Sequence, residues 1–412
     1  MPTTVTTQGL VLVEHEFTIP LDHTHPDGER ITVFAREVAD PDGRDRPFLV
    51  FFQGGPGFEA ARPTRNPSTP GWLDRALEDF RVLMLDQRGT GRSTPVGRPP
   101  AGLSPAALAE RLAHFRADAI VRDAEWIRRQ LRVERWSVLG QSFGGLCVTS
   151  YLSIAPEGLR EAFITGGLPP IGNHIDDVYR ATYGRTLDRN RRYYERYPDD
   201  RERVLEHQRV LEAEDVRLPS GDRLTARRLR QLGGGLGMSD GAEHLHYILE
   251  LPTRSPAFLH DVDAALGFSR DPLYALVHEA CWADGGTTRW SAQRVLPADY
   301  DGRPELFTGE HVYKWMFEEY GALAPYREAA ELLAEREWPR LYDLDRLREN
   351  EVPAAAAIYA EDMYVERRFS EETAALMRGL RPWVTNEYEH NGLRADGARI
   401  LGRLIDLTRG RV

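Results

Sequence analysis

A serine between two glycines is the first candidate for chemistry in this sequence. Ser142 stands in Gly140-x-Ser142-x-Gly144, directly after an apolar run that predicts a strand and before an apolar run that predicts a helix. A sharp strand-to-helix turn of this kind lifts a serine hydroxyl clear of a sheet edge, and glycines are needed where the turn leaves no room for side chains. The pattern predicts that Ser142 is a nucleophile, with a chance Gly-Ser-Gly turn as the weaker alternative.

A nucleophilic serine needs a base to take its proton and an acid to orient that base. In a turn of this type the chain order is serine, acid, histidine. Of the twelve histidines only His390 follows the predicted strand near the end of the chain, and Glu361 and Asp362 both follow the strand before it. We favour Asp362, because a shift of one residue at an extended strand end reverses the side-chain direction. Glu361 remains the second choice.

Acyl transfer also needs hydrogen-bond donors for the oxyanion that develops during the reaction. The backbone N–H of Phe143 is one candidate, by the geometry of the turn. The apolar run 48–52 ends in a glycine-rich loop that should supply the other donor. Pro56 has no N–H, so Gly55 or Gly54 is the candidate, and we assign the role to Gly55. The loop lacks the Lys-Ser/Thr ending of a phosphate-binding loop, which excludes that alternative.

The elements that position these residues fall into two patterns. Strand-like apolar runs alternate with helical patterns through the first part of the chain, which is typical of a mainly parallel sheet covered on both faces. From about Pro169 to about Leu347, charged amphipathic helices replace this alternation, interrupted by a glycine-rich loop at 233–237. Strand patterns return at 354–359 and 383–388. The core is therefore predicted to be split in sequence.

The order of these elements and of the serine turn resembles the α/β-hydrolase fold, and the resemblance implies a core with a mainly parallel, eight-stranded sheet. The first part of the core is expected at 1–168 and the second at 348–412. A helical cap is expected at 169–347, inserted before the strand that carries the catalytic acid. Two structural units also suit a chain of 412 residues, since single hydrophobic cores usually stop growing at roughly 250–300 residues.

Composition excludes several classes of protein. The net charge of -11 carries no long block of like charges, so no nucleic-acid partner is predicted. The sequence has neither a signal-like start nor an apolar run long enough to span a membrane, and Cys147 and Cys281 do not form a disulfide framework. A cytoplasmic protein without a membrane partner is expected. His244 and His246 are two residues apart with no accompanying carboxylate motif, so we predict no metal and no cofactor.

Three motifs together resemble the proline iminopeptidase family of α/β-hydrolases. They are, in chain order, Gly54-Gly55-Pro56-Gly57, then Asp86-Gln87-Arg88-Gly89-x-Gly91-Arg92-Ser93, and Gly140-x-Ser142-x-Gly144-Gly145. Each motif alone is common, but the three at these spacings are specific. The family usually has histidine before the first motif, where this chain has Gln53, and we assign Gln53 to substrate binding. The resemblance implies a serine aminopeptidase that releases N-terminal proline from short peptides.

The resemblance also implies carboxylates in the cap that hold the free amino group of the substrate. Two segments are similar to the amine-binding stretches of the family, one around Glu279 and one around Glu310. The alternative for either residue is a solvated glutamate or one paired with arginine. For the apolar pocket of a proline ring, the candidates are Phe143, Trp315 and Phe317, each of which could equally belong to ordinary core packing.

Two other functions remain open at this point. The same triad could serve a capped esterase, amidase or carbon-carbon bond hydrolase, because the fold does not determine the acyl group attacked. A ligand-binding protein without catalysis is the other alternative, and an intact triad argues against it. Haloalkane dehalogenases and epoxide hydrolases are disfavoured, because they use an aspartate at the position of Ser142.

Overall fold

A computed structural model describes residues 3–412, in which nine strands form one sheet. Two further short strands pair with each other as a separate hairpin, β5 with β6. The strands are β1 (Thr3–Thr7), β2 (Leu10–Pro20), β3 (Arg30–Ala39), β4 (Phe48–Phe52), β5 (Thr64–Arg65), β6 (Ser68–Thr69), β7 (Arg81–Leu85), β8 (Trp136–Gln141), β9 (Leu159–Thr165), β10 (Ala354–Tyr359) and β11 (Leu380–Thr385).

The sheet is parallel over its greater part. Its strand order is β1-β2-β3-β7-β4-β8-β9-β10-β11. The strands from β7 to β11 in this order run parallel to one another, whereas β1, β2 and β3 pair antiparallel. The carboxyl ends of the parallel strands consequently lie along one edge of the sheet, which is where open α/β sheets bind their ligands.

Helices cover the sheet and build the cap. They are α1 (Leu73–Asp79), α2 (Pro105–Leu112), α3 (Ala117–Gln130), α4 (Phe143–Ile154), α5 (Ile175–Arg196), α6 (Asp200–Ala213), α7 (Ala226–Leu229), α8 (Gly241–Leu249), α9 (Pro256–Leu266), α10 (Pro272–Val277), α11 (Ser291–Arg294), α12 (Met316–Glu319), α13 (Arg327–Glu335), α14 (Leu344–Arg348), α15 (Arg367–Leu376), α16 (Gly392–Ala395) and α17 (Gly397–Thr408). Helices α5 to α14 all lie between β9 and β10 in sequence, although these two strands pair directly.

The central strands are apolar on both faces, because both faces are covered. Every residue of β4 and of β10 is buried. Along β4 the side chains alternate between two clusters, with Phe48, Val50 and Phe52 in the cluster that contains α3 and α4. Leu49 and Phe51 belong to the cluster of α1 and α17. This two-residue period is the geometry of an extended strand between two helical layers.

Several sequence-based boundaries differ from the structure. The sheet has nine strands rather than the predicted eight; the extra one is β1, whose side chains are all exposed. The helical pattern at 104–131 predicts one long helix, but the structure has two, broken where buried Arg116 donates a hydrogen bond of 2.7 Å to the carbonyl of Ala283 in the segment between β9 and β10. The last strand begins at Leu380 and ends at Thr385, three residues earlier than predicted. Within residues 3–412, no helix is both long and apolar enough to cross a membrane.

Candidate active site

The predicted site residues of the core follow the carboxyl ends of four parallel strands. Gln53 follows β4, Ser142 follows β8, Asp362 follows β10 and His390 follows β11. These strands are hydrogen-bonded in one sheet, so the loops after them lie along the same edge. Residues that are far apart in sequence are thereby collected at one place.

The turn at Ser142 has the strained geometry that the sequence predicts. Ser142 adopts φ of 55° and ψ of -124°, in the positive-φ region that side chains disfavour. A Cβ atom on Gly140 would lie 2.2 Å from the carbonyl oxygen of Gly144, and one on Gly144 would lie 2.0 Å from that of Phe52. Only glycine fits at these two positions. The absence of side chains there permits the tight turn that places Ser142 directly before α4.

His390 and Asp362 form a buried pair. Nδ1 of His390 lies 2.7 Å from Oδ2 of Asp362, and both side chains are almost fully buried. The other carboxylate oxygen of Asp362 accepts hydrogen bonds from the backbone N–H groups of Tyr364 and Val365, at 2.8 and 3.0 Å. Burial opposes protonation of His390, but the charge and hydrogen bond of Asp362 outweigh it, so the pKa of His390 is raised. The carboxylate is held to orient an imidazole and to stabilise its charged form.

The neighbouring carboxylate, Glu361, points elsewhere. Its side chain pairs with Arg192 of α5 and is 45% exposed. The contact with Arg192 is the main cause that lowers the pKa of Glu361. Of the two acids that the sequence left open, Asp362 is the one that contacts His390.

A pair of glycines after β9 separates the serine turn from the histidine loop. A Cβ atom on Gly167 would lie 2.2 Å from the carbonyl oxygen of Ser142. One on Gly166 would lie 3.2 Å from Nδ1 of His390. The two loops therefore approach each other across backbone that carries no side chain, which brings the nucleophile and the imidazole to the same region of the sheet edge.

The loop after β4 packs directly on the nucleophile. A Cβ atom on Gly54 would lie 3.1 Å from Cβ of Ser142. Buried Gln87 donates a hydrogen bond of 3.0 Å to the carbonyl oxygen of Gln53 and so fixes the start of the loop. Gly55 follows in this loop, and Phe143 is the first residue of α4, so both predicted oxyanion donors belong to segments that adjoin Ser142.

A pocket of about 250 Å³ lies between Phe58, which follows this loop, and the segments inserted after β9, and Ser142, Asp362 and His390 are not among its lining residues. Its walls are mainly aromatic and aliphatic, and Asp271 and Glu310 are its carboxylates. The aromatic residues are Phe58, Phe268, Tyr274 and Tyr320. An apolar pocket with a few polar groups is the usual form of a small-molecule site.

Glu310 presents an ionised carboxylate to this pocket. Its Oε1 accepts a hydrogen bond of 2.6 Å from the hydroxyl of Tyr274, and its Oε2 lies 3.9 Å from Nε2 of His278. Burial by itself would raise the pKa of Glu310, but His278 and Tyr274 stabilise the charged form and the pKa is lowered. The charge of Glu310 also helps to raise the pKa of His390, so the carboxylate acts on the catalytic imidazole.

Glu279 does not line this pocket. It is 6% exposed, and its Oε1 accepts a hydrogen bond of 2.9 Å from the backbone N–H of Ala292 in α11. Among the described residues, Oε2 of Glu279 has no hydrogen-bond partner, and it borders a separate cavity of about 20 Å³ beside Thr288 and Trp338. Burial raises the pKa of Glu279 to about 7. The structure thus brings only one of the two predicted cap glutamates to the pocket.

The chain is similar to several known proteins. The family model described as the alpha/beta hydrolase fold matches residues 47–391. A proline iminopeptidase of Aeromonas sobria is 49% identical over 97% of each chain. A proline iminopeptidase of Aspergillus aculeatus is 33% identical over 97% of this chain and 94% of its own. A solved structure, 2-hydroxy-6-oxo-6-phenylhexa-2,4-dienoate hydrolase from Rhodococcus sp. strain RHA1, is 13% identical with a TM-score of 0.46, over 97% of this chain and 99% of that one.

The full-length identity to two proline iminopeptidases is decisive, since it covers the core and the inserted helices together. The chain belongs to the proline iminopeptidase family. The resemblance stated from three short motifs is confirmed, and so is the α/β-hydrolase fold.

The second of the three family motifs anchors the loops around the site. Arg88 is fully buried and forms a two-point ion pair with Asp123 of α3, at 2.7 and 2.5 Å. It also donates to the carbonyl oxygens of Leu21 and His114, both at 2.7 Å. Gln87 and Arg88 are adjacent, so this anchored segment holds the loop after β4 from one side.

Sequence reasoning missed most of the pocket wall. Of the three predicted aromatic residues, Phe143 packs in the core, Phe317 borders the small cavity of Glu279, and Trp315 stacks on Tyr313. Gln53 likewise does not line the pocket among the described residues. Tyr274 precedes His278 by four residues, so both lie on the same side of a helical segment. This spacing was the one signal in the sequence that could have indicated that the two side chains lie close together.

Proposed function

We propose that this chain is a serine aminopeptidase that releases N-terminal proline from short peptides through an acyl-enzyme intermediate. One observation carries the proposal: in a member of the proline iminopeptidase family, the carboxylate of Glu310 lines a mainly apolar pocket and is held there by the hydroxyl of Tyr274. An aminopeptidase needs a negative group at a short, fixed distance from its nucleophile, because the substrate amine is one residue from the bond that is cleaved.

In the acylation step, the hydroxyl oxygen of Ser142 attacks the carbonyl carbon of the N-terminal residue. The free ring nitrogen Nε2 of His390 takes the serine proton as the new C–O bond forms. The N–H groups of Gly55 and Phe143 would stabilise the resulting oxyanion, and losing one such donor typically costs about 100- to 1,000-fold in rate. Collapse breaks the C–N bond, and His390 returns the proton to the departing amine.

Deacylation repeats the same steps with water. His390 takes a proton from water, the hydroxide attacks the ester carbonyl, and the C–O bond to Ser142 breaks as the serine regains its proton. Asp362 keeps the imidazole oriented in both halves of the cycle, because its two oxygens are bonded to Nδ1 of His390 and to two backbone N–H groups. Free proline is the product of this half of the cycle.

Glu310 accounts for the requirement for a free N-terminus. The ammonium group of an unblocked N-terminal residue, which is a secondary ammonium in proline, is positive, and burying it in an apolar pocket is costly without a paired charge. A charge-assisted hydrogen bond is worth about 1.5–3 kcal/mol. The aromatic wall of Phe268, Tyr274 and Tyr320 suits the apolar part of a proline ring.

The proposal is tested with three substrates that differ in one property each. Proline-naphthylamide has the free amine, acetyl-proline-naphthylamide lacks the charge, and a nitrophenyl ester needs only the nucleophile and its base. We expect Glu310→Gln to lower kcat/KM for the first substrate by about 10- to 100-fold. We expect the ester to change by less than about threefold, since it makes no charged contact.

The matched control is Glu318→Gln, an exposed glutamate of α12 in the same cap. It should leave kcat/KM unchanged for all three substrates. Rapid hydrolysis of acetyl-proline-naphthylamide by the parent enzyme would contradict the proposal and favour an amidase or esterase. The cytoplasmic location expected from the sequence stays a prediction.

A further inference from the structure

The glycine-rich loop of the cap, residues 233–237, contacts the loop that carries the catalytic acid. Tyr364 lies two residues after Asp362 and is 5% exposed. Its hydroxyl donates a hydrogen bond of 2.6 Å to the carbonyl oxygen of Gly234 and accepts one of 3.1 Å from the N–H of Gly237. The phenol is thus bound at both of its polar functions by backbone of the cap.

The same tyrosine packs against the catalytic histidine. Its ring and the imidazole of His390 are arranged edge to face, with centroids 4.7 Å apart and planes inclined by 67°. The backbone N–H of His390 lies 3.3 Å from the carbonyl oxygen of Gly237 and donates to it. The imidazole therefore has Asp362 at Nδ1, Tyr364 against its ring, and the cap loop at its backbone.

A further pair of hydrogen bonds continues this attachment. The side-chain oxygen of Asn391 accepts from the N–H of Ser239 at 2.9 Å, and its amide nitrogen donates to the hydroxyl of Ser239 at 3.0 Å. Consecutive residues of the histidine loop, His390 and Asn391, are therefore both bound to the segment that contains the glycine-rich loop.

The glycines of this loop serve close approach rather than an unusual backbone. None of Gly233, Gly234, Gly235 and Gly237 has a positive φ. A Cβ atom on Gly237 would lie 2.4 Å from Cε2 of Tyr364, whereas one on Gly235 would meet no atom within 4 Å. Of these two glycines, which are separated by a single residue, only Gly237 would bring an added side chain against Tyr364.

We propose that Tyr364 is a positioning residue for His390, and that the cap loop holds it in place through Gly237. The inference deepens the proposed function, because it assigns a role at the same catalytic site. The imidazole must keep Nε2 aimed at Ser142 while Nδ1 stays on Asp362, and a misplacement of about 1 Å at an active site can cost about 100-fold in rate. The cap thereby takes part in positioning the base as well as in binding substrate.

The test compares Gly237→Ala with Gly235→Ala as its matched control. The rate at which a fluorophosphonate labels Ser142 reports activation of the nucleophile, independently of any amine site. We expect Gly237→Ala to lower this rate by about 10- to 100-fold, and to lower kcat for proline-naphthylamide similarly with KM changed by less than about threefold. Gly235→Ala should stay within about twofold of the parent in every measurement.

Tyr364→Phe provides a second variant that keeps the ring and removes only the hydroxyl. It should fall between the two alanine variants, because the ring still packs on His390 but is no longer bonded to Gly234 and Gly237. A downfield proton resonance from Nδ1–H of His390 should be visible in the parent and in Gly235→Ala, and weakened or lost in Gly237→Ala. Thermal unfolding of each variant shows whether it is folded, and Tyr364→Phe decides the outcome if Gly237→Ala does not fold.

Equal labelling rates for Gly237→Ala and Gly235→Ala, or an unchanged rate in Tyr364→Phe, would overturn the inference. Failure of the proposed function gives a different result. In that case the parent enzyme would be labelled rapidly by the fluorophosphonate but would not hydrolyse proline-naphthylamide, and the differences in labelling between the variants would remain.

Discussion

The core side and the cap side of the site are held in place by different means. In the core, Ser142 is fixed by its immediate neighbours, because Gly140 and Gly144 permit one tight turn at the end of β8. In the cap, Glu310 is fixed by Tyr274 and His278, which belong to another segment more than thirty residues away. Local sequence determines the reacting group, whereas packing between distant segments determines the specificity group.

The largest expected change in activity comes from replacing Ser142 in the core. Ser142→Ala should lower kcat by more than about 1,000-fold for ester and amide substrates alike, because the triad acts as a unit. Ser150→Ala, further along α4, should leave kcat within a few-fold, as its hydroxyl makes one contact of 3.5 Å with the carbonyl of Leu341. Comparable activity in the Ser142 and Ser150 variants would mean that the turn is structural.

The next largest change in kcat is expected from the two adjacent carboxylates that follow β10. Asp362→Asn should lower kcat by about 1,000- to 10,000-fold, because the amide favours the wrong tautomer of His390. Glu361→Gln should change kcat by less than about threefold, since Glu361 is half exposed and only pairs with Arg192. The two variants differ by one position along the chain, so a reversed order of effects would move the acid to Glu361.

The pH dependence of the melting temperature tests the burial of Glu279. Burial raises the pKa of Glu279 to about 7, so the folded chain keeps a proton that an unfolded carboxyl releases near pH 4.3. The contribution of this group to folding is present below about pH 4.3 and is lost as the pH rises to about 7. Glu279→Gln should therefore unfold at the same temperature as the parent at pH 4 and at a higher one at pH 8. Thermal unfolding at the two pH values measures this, and a lower melting temperature at pH 8 would show that the charged form is stabilising.

The smallest expected effect is a shift in the pH dependence of kcat/KM, which involves His390 of the core and Glu310 of the cap. Activity requires neutral His390, whose pKa is raised, so kcat/KM should fall with decreasing pH through a pKa above the usual value of about 6.5. Glu310 contributes to that rise, so Glu310→Gln should move the acid limb to lower pH. The ester substrate is suited to this measurement because it does not use the amine site. If the acid limb does not move, the charge of Glu310 does not raise the pKa of His390.

The same contrast explains what the sequence could predict. The turn at Ser142, the base His390 and the acid Asp362 follow from strand ends and chain order, which are local or topological signals. Asp362, rather than Glu361, was favoured as the partner of His390 because adjacent side chains at a strand end point in opposite directions, and Asp362 makes that contact. The break between α2 and α3 could not be predicted, because Arg116 is bonded to Ala283, far along the chain.

Residue type alone could not separate Glu279 from Glu310. Both are glutamates of the same insertion, but Glu279 is covered by α11 and Glu310 faces a pocket. The outcome at each of these positions depends on which element packs over it, and that information is not in the local pattern.

The insertion of the cap between β9 and β10 determines when a growing chain can become an enzyme. Ala162 and Ala354 are neighbours in the sheet, yet the whole cap is synthesised between them. At about 5–20 residues per second, Ser142 is synthesised roughly 12–50 s before His390. Pairing of strands so distant in sequence is also slow, because the loss of chain entropy precedes the gain from contacts. A partly made chain therefore carries Ser142 without His390, and the two can come together only after the second half of the sheet has joined the first.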